Sequence, residues 1–136
     1  MTVPLNILVI EDNEQNRYLL TFLLQMRGHK VSAAVDGLSG IQMALELRPD
    51  IILLDIQLPA MHGYDVAAAL RGKPELDHVP IVAVTSYAMP GDREKALESG
   101  CDGYIEKPID PDTFVNDVES YHASCGRQAA RAGGQA

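Results

Sequence analysis

The sequence predicts an α/β fold, a doubly wound five-stranded parallel sheet with five flanking helices. Three observations predict it. Short runs of Val, Ile and Leu recur without polar alternation, as expected of strands buried on both faces of a parallel sheet. Amphipathic segments bounded by Gly and Pro lie between them. The two kinds of segment alternate along the whole chain, which implies right-handed crossovers with helices covering both sides of the sheet.

The strand candidates are Leu5–Ile10, the weaker Val31–Val35, Ile51–Leu54, Ile81–Val84 and the very short Gly103–Ile105. In Glu14–Arg27, Leu19, Leu23 and Met26 share a face, with Leu20 and Leu24 beside them. Gly28 follows, where a left-handed cap is expected. Leu38, Ile41 and Leu45 make the stripe of a second helix, which Pro49 ends. Tyr64–Arg71 is closed by Gly72, and Asp92–Glu98 runs up to Gly100. Pro111, suited to a first helical turn, opens a last stretch with Phe114, Val118 and Tyr121 on one stripe. Alternation alone leaves strand order open. The order 2-1-3-4-5, flavodoxin-like, is taken over from doubly wound sheets that bind ligands where the strand order reverses.

A chain of 136 residues suffices for one core, here assigned to residues 1–123. Residues 124–136 are Ala, Gly, Gln and Arg with little else, and read as a disordered tail. No run approaches the roughly 20 apolar residues of a membrane span, and Met1–Asn6 lacks the basic and apolar parts of a signal peptide. A cytoplasmic protein off the membrane is the expectation. The net charge of −8 argues against a nucleic-acid surface. Cys101 and Cys125 have no metal-ligand spacing and are expected to be plain reduced thiols.

Polar residues at the ends of the predicted strands carry the chemistry. Glu11 and Asp12 follow the first strand, Asp55 the third, Thr85 the fourth and Lys107 the fifth. Ligands of open α/β sheets bind at those carboxyl ends, so in the adopted order three carboxylates meet in one crevice beside a hydroxyl and an ammonium. Like charges ~4 Å apart cost on the order of 4 kcal/mol per pair at an effective dielectric near 20. Such a cluster raises a pKa or recruits a cation, and Mg²⁺ is the hard ion that suits it. Individually the residues are unremarkable. Asp12 or Asn13 can be a helix N-cap, Thr85 a loop hydroxyl and Lys107 a surface lysine. A carboxylate nucleophile, a divalent metal and a lysine together form a phosphoryl-transfer constellation.

The segments Ile7-Leu8-Val9-Ile10-Glu11-Asp12-Asn13, Leu53-Leu54-Asp55-Ile56-Gln57-Leu58-Pro59 with Met61 and Gly63, Pro80-Ile81-Val82-Ala83-Val84-Thr85 and Gly103-Tyr104-Ile105-Glu106-Lys107-Pro108 resemble two-component response-regulator receiver domains. The style is that of single-domain DivK-like regulators and hybrid-kinase receivers, and the resemblance covers about residues 5–122. It implies that Asp55 is the phosphoacceptor and that Asp12 and Asp55 hold Mg²⁺, for which Mn²⁺ is expected to substitute. Glu11 would act through a water, and the backbone carbonyl of Gln57 would be a further ligand. Thr85 would hydrogen-bond the acyl phosphate, Lys107 would neutralise it, and Tyr104 would swing into the space Thr85 vacates. Lys107–Pro108 resembles the family's cis peptide bond, and Gln57 and Tyr87 occupy positions that tune dephosphorylation.

By the same resemblance the donor is a sensor histidine kinase or a histidine phosphotransfer protein, met through Asn13, Asn16 and the first helix. The signal passes to a downstream protein target by phosphorylation-dependent binding or phosphorelay. The chain is expected to be a monomer or weak dimer, and a phosphoacceptor rather than an enzyme with a separate output activity. An aspartyl-nucleophile phosphatase is disfavoured because Gln57 stands where such an enzyme needs a second acid. A flavodoxin-like cofactor binder is disfavoured because Glu11-Asp12-Asn13-Glu14 repels phosphate. A receiver-like binder that is never phosphorylated is disfavoured by the complete acidic set.

Overall fold

The computed structural model describes residues 4–58, 62–86 and 91–124. Among them five strands alternate with five helices: β1 (Asn6–Ile10), α1 (Glu14–Met26), β2 (Lys30–Ala34), α2 (Gly37–Leu47), β3 (Ile51–Asp55), α3 (Gly63–Arg71), β4 (Ile81–Thr85), α4 (Asp92–Glu98), β5 (Gly103–Glu106) and α5 (Phe114–Ser124). All strands pair in parallel, in the order β2-β1-β3-β4-β5. The expected class and strand order are both found.

Alternate strand residues feed two cores, as the period of two requires. Leu8, Ile10, Ile52, Leu54, Ile81 and Ala83 pack with Val66 and Leu70 of α3 and Ala44 of α2. Ile7, Val9, Leu53, Val82 and Val84 pack on the other side with Leu20 and Leu24 of α1 and Phe114 and Val118 of α5. β3 and β4 are buried along their whole length, which explains why their sequences carry no polar alternation.

Several boundaries and faces depart from the sequence expectation. The buried stripe of α1 centres on Leu20 and Leu24, and Met26 is 71% exposed. In α2 the expected Leu38 faces solvent, while Gly37, Gly40 and Ala44 are the buried residues. The cause is close approach, since a Cβ at Gly40 would strike the Ile10 side chain. Small residues therefore make this helix face, and a search for large apolar side chains misplaces it. β2 stops at Ala34, whose carbonyl accepts from Glu11 N–H at 3.0 Å, so Val35 lies beyond the ladder. The segment opened by Pro111 is a turn, and α5 starts at Phe114. A 3₁₀ turn at Pro74–Leu76 was not foreseen.

Capping follows the expected chemistry. Asn13 Oδ1 accepts from Asn16 N–H at 2.9 Å, Asp36 Oδ1 accepts from Ser39 N–H at 2.8 Å, and Gly28 takes φ +97° after α1. A buried histidine joins the two helices of one face. His29 Nδ1 accepts from Leu5 N–H at 3.0 Å, so the ring proton sits on Nε2, 2.7 Å from Glu119 Oε2 on α5. Arg27 adds a 2.9 Å ion pair to the same carboxylate.

Cys101 is buried, and burial pushes its thiol up to about 12, in keeping with an inert structural cysteine. Cys125, Pro59, Met61 and Tyr87 lie outside the described residues, as does all of the expected tail except Ser124, which belongs to α5.

Candidate functional site

The parallel register brings the ends of β1, β3, β4 and β5 to one edge. Ile10 lies opposite Leu54, Asp55 opposite Val84, and Thr85 opposite Glu106. Each chain therefore leaves the sheet at nearly the same height, and the residues at the exits meet. Asp55 is the last residue of β3 rather than the first after it. The crevice there is lined by Glu11, Asp12, Asp55, Gln57, Lys107 and Pro108, with Asn13, Asn16 and Ser86 at its rim.

Glu11, Asp12 and Asp55 each offer one carboxylate oxygen within 4.8 Å of the others. Glu11 and Asp55 are buried and Asp12 is exposed, so the cluster has a closed floor and an open mouth. Lys107 Nζ sits 2.9 Å from Glu11 Oε1 and 3.7 Å from Asp55 Oδ1. One ammonium cannot balance three carboxylates; about two negative charges remain, which matches a divalent cation. The donors are all oxygen and one side is open to water, the arrangement Mg²⁺ uses when it keeps several waters. These residues fit such an ion.

The electrostatics agree. Burial pushes Glu11 up to about 7, and the hydrogen bond and charge of Asp55 add to the rise while Lys107 opposes it. Because the folded value exceeds the ordinary 4.5, the stabilising contribution of Glu11 is complete below about pH 4.5. It is then lost as pH rises through about 7. In chelator, the stability of the wild type relative to Glu11→Gln should therefore fall between pH 5 and pH 8, by on the order of 2–3 kcal/mol. Paired thermal melts at the two pH values measure this. A gap that stays constant would show that Glu11 ionises in the folded chain as it does in the unfolded one.

Asp55 Oδ1 also accepts from Gln57 N–H at 2.9 Å, which turns the chain sharply after β3. The Gln57 side chain reaches across to the β4 exit, where Oε1 accepts from Ser86 Oγ–H at 2.7 Å and from Ser86 N–H at 3.3 Å. Thr85 is buried at the end of β4, directly before Ser86, and its carbonyl accepts from Lys107 N–H at 2.8 Å. The Lys107–Pro108 peptide is cis. Tyr104 stands apart from the carboxylates. It is half-buried in β5 and packs against the α2–α3 side of the core. It also lines a groove between β5 and α5 with Glu106, Asp117 and Tyr121. Tyr121 O–H closes that groove by donating to the Tyr104 carbonyl at 3.0 Å.

Strand-end reasoning brought together Glu11, Asp12, Asp55, Thr85 and Lys107; the structure assembles the three carboxylates and the lysine, while Thr85 lies buried at the end of β4 and does not line the crevice. Two side chains were missed. One is the amide of Gln57, foreseen only as a backbone carbonyl and as a position tuning dephosphorylation. The other is Arg17, whose Nη1 donates to the carbonyls of Glu11 at 3.1 Å and Asp12 at 3.2 Å. A basic residue four to six positions after an acidic strand end is the signal that would have found it, because helical geometry carries it back over the loop.

Comparison with known proteins agrees with this geometry. The family described as response regulator receiver domain matches residues 7–119. The polar-differentiation response regulator DivK of Brucella anthropi is 40% identical over 119 residues, covering 88% of this chain and 97% of that protein. DivK of Brucella ovis is 40% identical over 116 residues, covering 85% and 94%. Among solved structures, chemotaxis response regulator CheY4 of Vibrio cholerae superposes with a TM-score of 0.83 at 25% identity, covering 88% of this chain and 99% of that one. The receiver domain of a Pseudomonas aeruginosa sensor histidine kinase has magnesium coordinated in its active-site cleft. It superposes with a TM-score of 0.82 at 31% identity, covering 90% and 100%. With the family match running across both cores and all four strand exits, this chain belongs to the response regulator receiver domains.

Proposed function

We propose that the chain is a phosphorylation switch, in which the receiver unit runs through the end of α5 at Ser124 and Asp55 accepts a phosphoryl group from a phosphohistidine. The observation that carries this is the meeting of Glu11, Asp12 and Asp55 within 4.8 Å, with Lys107 against two of them. Asp12 and Asp55, with the Gln57 carbonyl, would hold Mg²⁺, or Mn²⁺ in its place, and Glu11 would reach it through a water. Once bound, the cation would offset charge on the phosphoryl oxygens.

A carboxylate oxygen of Asp55 attacks phosphorus in line, the bond from phosphorus to the donor imidazole nitrogen breaks, and that nitrogen takes up a proton. Lys107, already 3.7 Å from Asp55, then faces an added charge of about −1 and new acceptor oxygens. Thr85 is the nearest hydroxyl on β4 to answer it. Its movement would leave room for Tyr104, and the α4–β5–α5 surface would change with them. Carrying such a switch from mostly off to mostly on takes about 5.5 kcal/mol of differential stabilisation.

The donor is a sensor histidine kinase or a histidine phosphotransfer protein, and the reader is a downstream protein. The outer face of α1, beside the crevice, supports a helical donor. Asn13 and Asn16 line the crevice rim. On the same helix the exposed rings of Tyr18 and Phe22 stack with centroids 6.1 Å apart and planes 16° apart. No described helix is long and apolar enough to cross a membrane, and a cytoplasmic, monomeric or weakly dimeric state suits this role. The chain would catalyse its own phosphorylation and dephosphorylation.

The test is incubation with a small phosphodonor, with Mg²⁺ or with chelator, followed by intact mass. One added phosphoryl group is expected with the metal and none with chelator. Equal modification in both would remove the cation from the reading.

A further inference from the structure

Two neighbouring residues of an extended chain point to opposite sides. Glu11 and Asp12 are neighbours, one buried and one exposed, yet a carboxylate oxygen of each lies within 4.8 Å of the other and of Asp55. The backbone must therefore bend as it leaves β1. Glu11 N–H makes a last sheet bond, to the Ala34 carbonyl at 3.0 Å. Beyond it the carbonyls of Glu11, Asp12 and Asn13 leave the ladder and need other donors.

One residue supplies all three. Arg17, in the first turn of α1, donates from Nη1 to the Glu11 carbonyl at 3.1 Å and to the Asp12 carbonyl at 3.2 Å. Its own backbone N–H donates to the Asn13 carbonyl at 2.9 Å. Two successive carbonyls fastened to a single nitrogen fix the planes of two successive peptides, and those planes set where each Cβ points. The segment is closed from its other side by Asn13 N–H, which donates to Glu11 Oε2 at 3.2 Å. The Asn13 side chain meanwhile caps α1.

We infer that Arg17 is the positioning residue that aims the carboxylates of Glu11 and Asp12 at one cation. The inference rests on the acidic crevice being a cation site, as proposed above. Arg17 does not line that crevice; it works from behind, through the backbone. A guanidinium this near also repels a cation, so its two effects oppose each other. Orientation is assigned the larger share because, among the described residues, Arg17 alone donates to the Glu11 and Asp12 carbonyls, and partners one shell removed from a metal typically govern affinity by ~10–100-fold. The sign of the change on removal separates the two effects.

The experiment measures the Kd of Mg²⁺ by titration calorimetry on the full chain, for wild type, Arg17→Met and Arg17→Lys, well below each melting temperature. Arg17→Met keeps the helix-forming apolar stem and loses the donors. Its Kd should rise about tenfold. Arg17→Lys keeps the charge and a donor, but on a shorter side chain without the planar guanidinium that carries Nη1 to both carbonyls, so it should recover only part of the loss. Amide exchange at Asp12 and Asn13 should quicken in Arg17→Met without metal, a readout independent of any phosphorylation.

An unchanged or tighter Kd in Arg17→Met overturns the inference, the tighter value because charge would then outweigh orientation. Should the wild type itself bind no Mg²⁺, the cation reading of the crevice fails. If the wild type binds and Arg17→Met binds equally well, only the role of Arg17 fails.

Discussion

Asp55→Asn is expected to gain no phosphoryl group from a small phosphodonor in Mg²⁺, under conditions in which the wild type gains one by intact mass. The change is nearly isosteric. The asparagine carbonyl oxygen can still accept from Gln57 N–H, now made to Asp55 Oδ1 at 2.9 Å, so the turn after β3 survives. What disappears is the nucleophile, because an amide has no anionic oxygen to attack phosphorus. The same change removes one of three crowded carboxylates. At ~4 Å and an effective dielectric near 20, each like-charged pair costs on the order of 4 kcal/mol. Without metal the variant should therefore melt at the wild-type temperature or above it. Loss of modification together with unchanged or raised stability distinguishes a chemical role from a folding defect. An Asp55→Asn chain that still took on phosphate would shift the acceptor to Glu11 or Asp12 and defeat the assignment.

How legible this was in advance differs by level. The strands of the sheet centre were readable because β3 and β4 are buried on both faces, and such strands leave uninterrupted apolar runs such as Ile51–Leu54 and Ile81–Val84. The acidic exits were readable because strand ends are positions, and position survives ignorance of side-chain direction. Helix faces fared worse. In α2 the contact is made by Gly40 and Ala44, since close approach to Ile10 excludes anything larger, and hydropathy marks large residues rather than absent ones. The start of α5 was misplaced because proline favours a first turn without dictating that the turn continue. Arg17 and the Gln57 side chain escaped because their partners are backbone atoms and a serine from another loop. Contacts of that kind depend on where loops come to lie, which no periodicity encodes. The adopted strand order was correct, although alternation by itself would have allowed others.

The largest effect away from the crevice is expected at Arg71, the last residue of α3. Its guanidinium is buried to 12% side-chain exposure and gathers four acceptors from three segments. Nε donates to the Gly100 carbonyl at 2.9 Å and Nη1 to the Leu76 carbonyl at 2.9 Å, while Nη2 serves the Val79 carbonyl and Asp102 Oδ2. Asp102 passes the link on by accepting from Ile81 N–H at 2.9 Å, at the start of β4. One side chain thus ties α3, the 3₁₀ turn, the entry to β4 and the turn before β5. Arg71→Met keeps the stem but strands several carbonyls and half of an ion pair. An unsatisfied buried polar group costs ~1–3 kcal/mol, and breaking a buried pair ~3–5 kcal/mol. Because these overlap, a loss of about 3–5 kcal/mol is expected, read as a shift in urea midpoint. Arg71→Lys should rescue little, since one ammonium cannot reach acceptors spread around a planar fork. Asp102→Asn should cost less than Arg71→Met, because its remaining oxygen can still accept from Ile81 N–H. If Arg71→Met proved as stable as the wild type, the hydration lost on folding would outweigh what these contacts return, and the corner would be held by Leu70, Leu76 and Val79 alone.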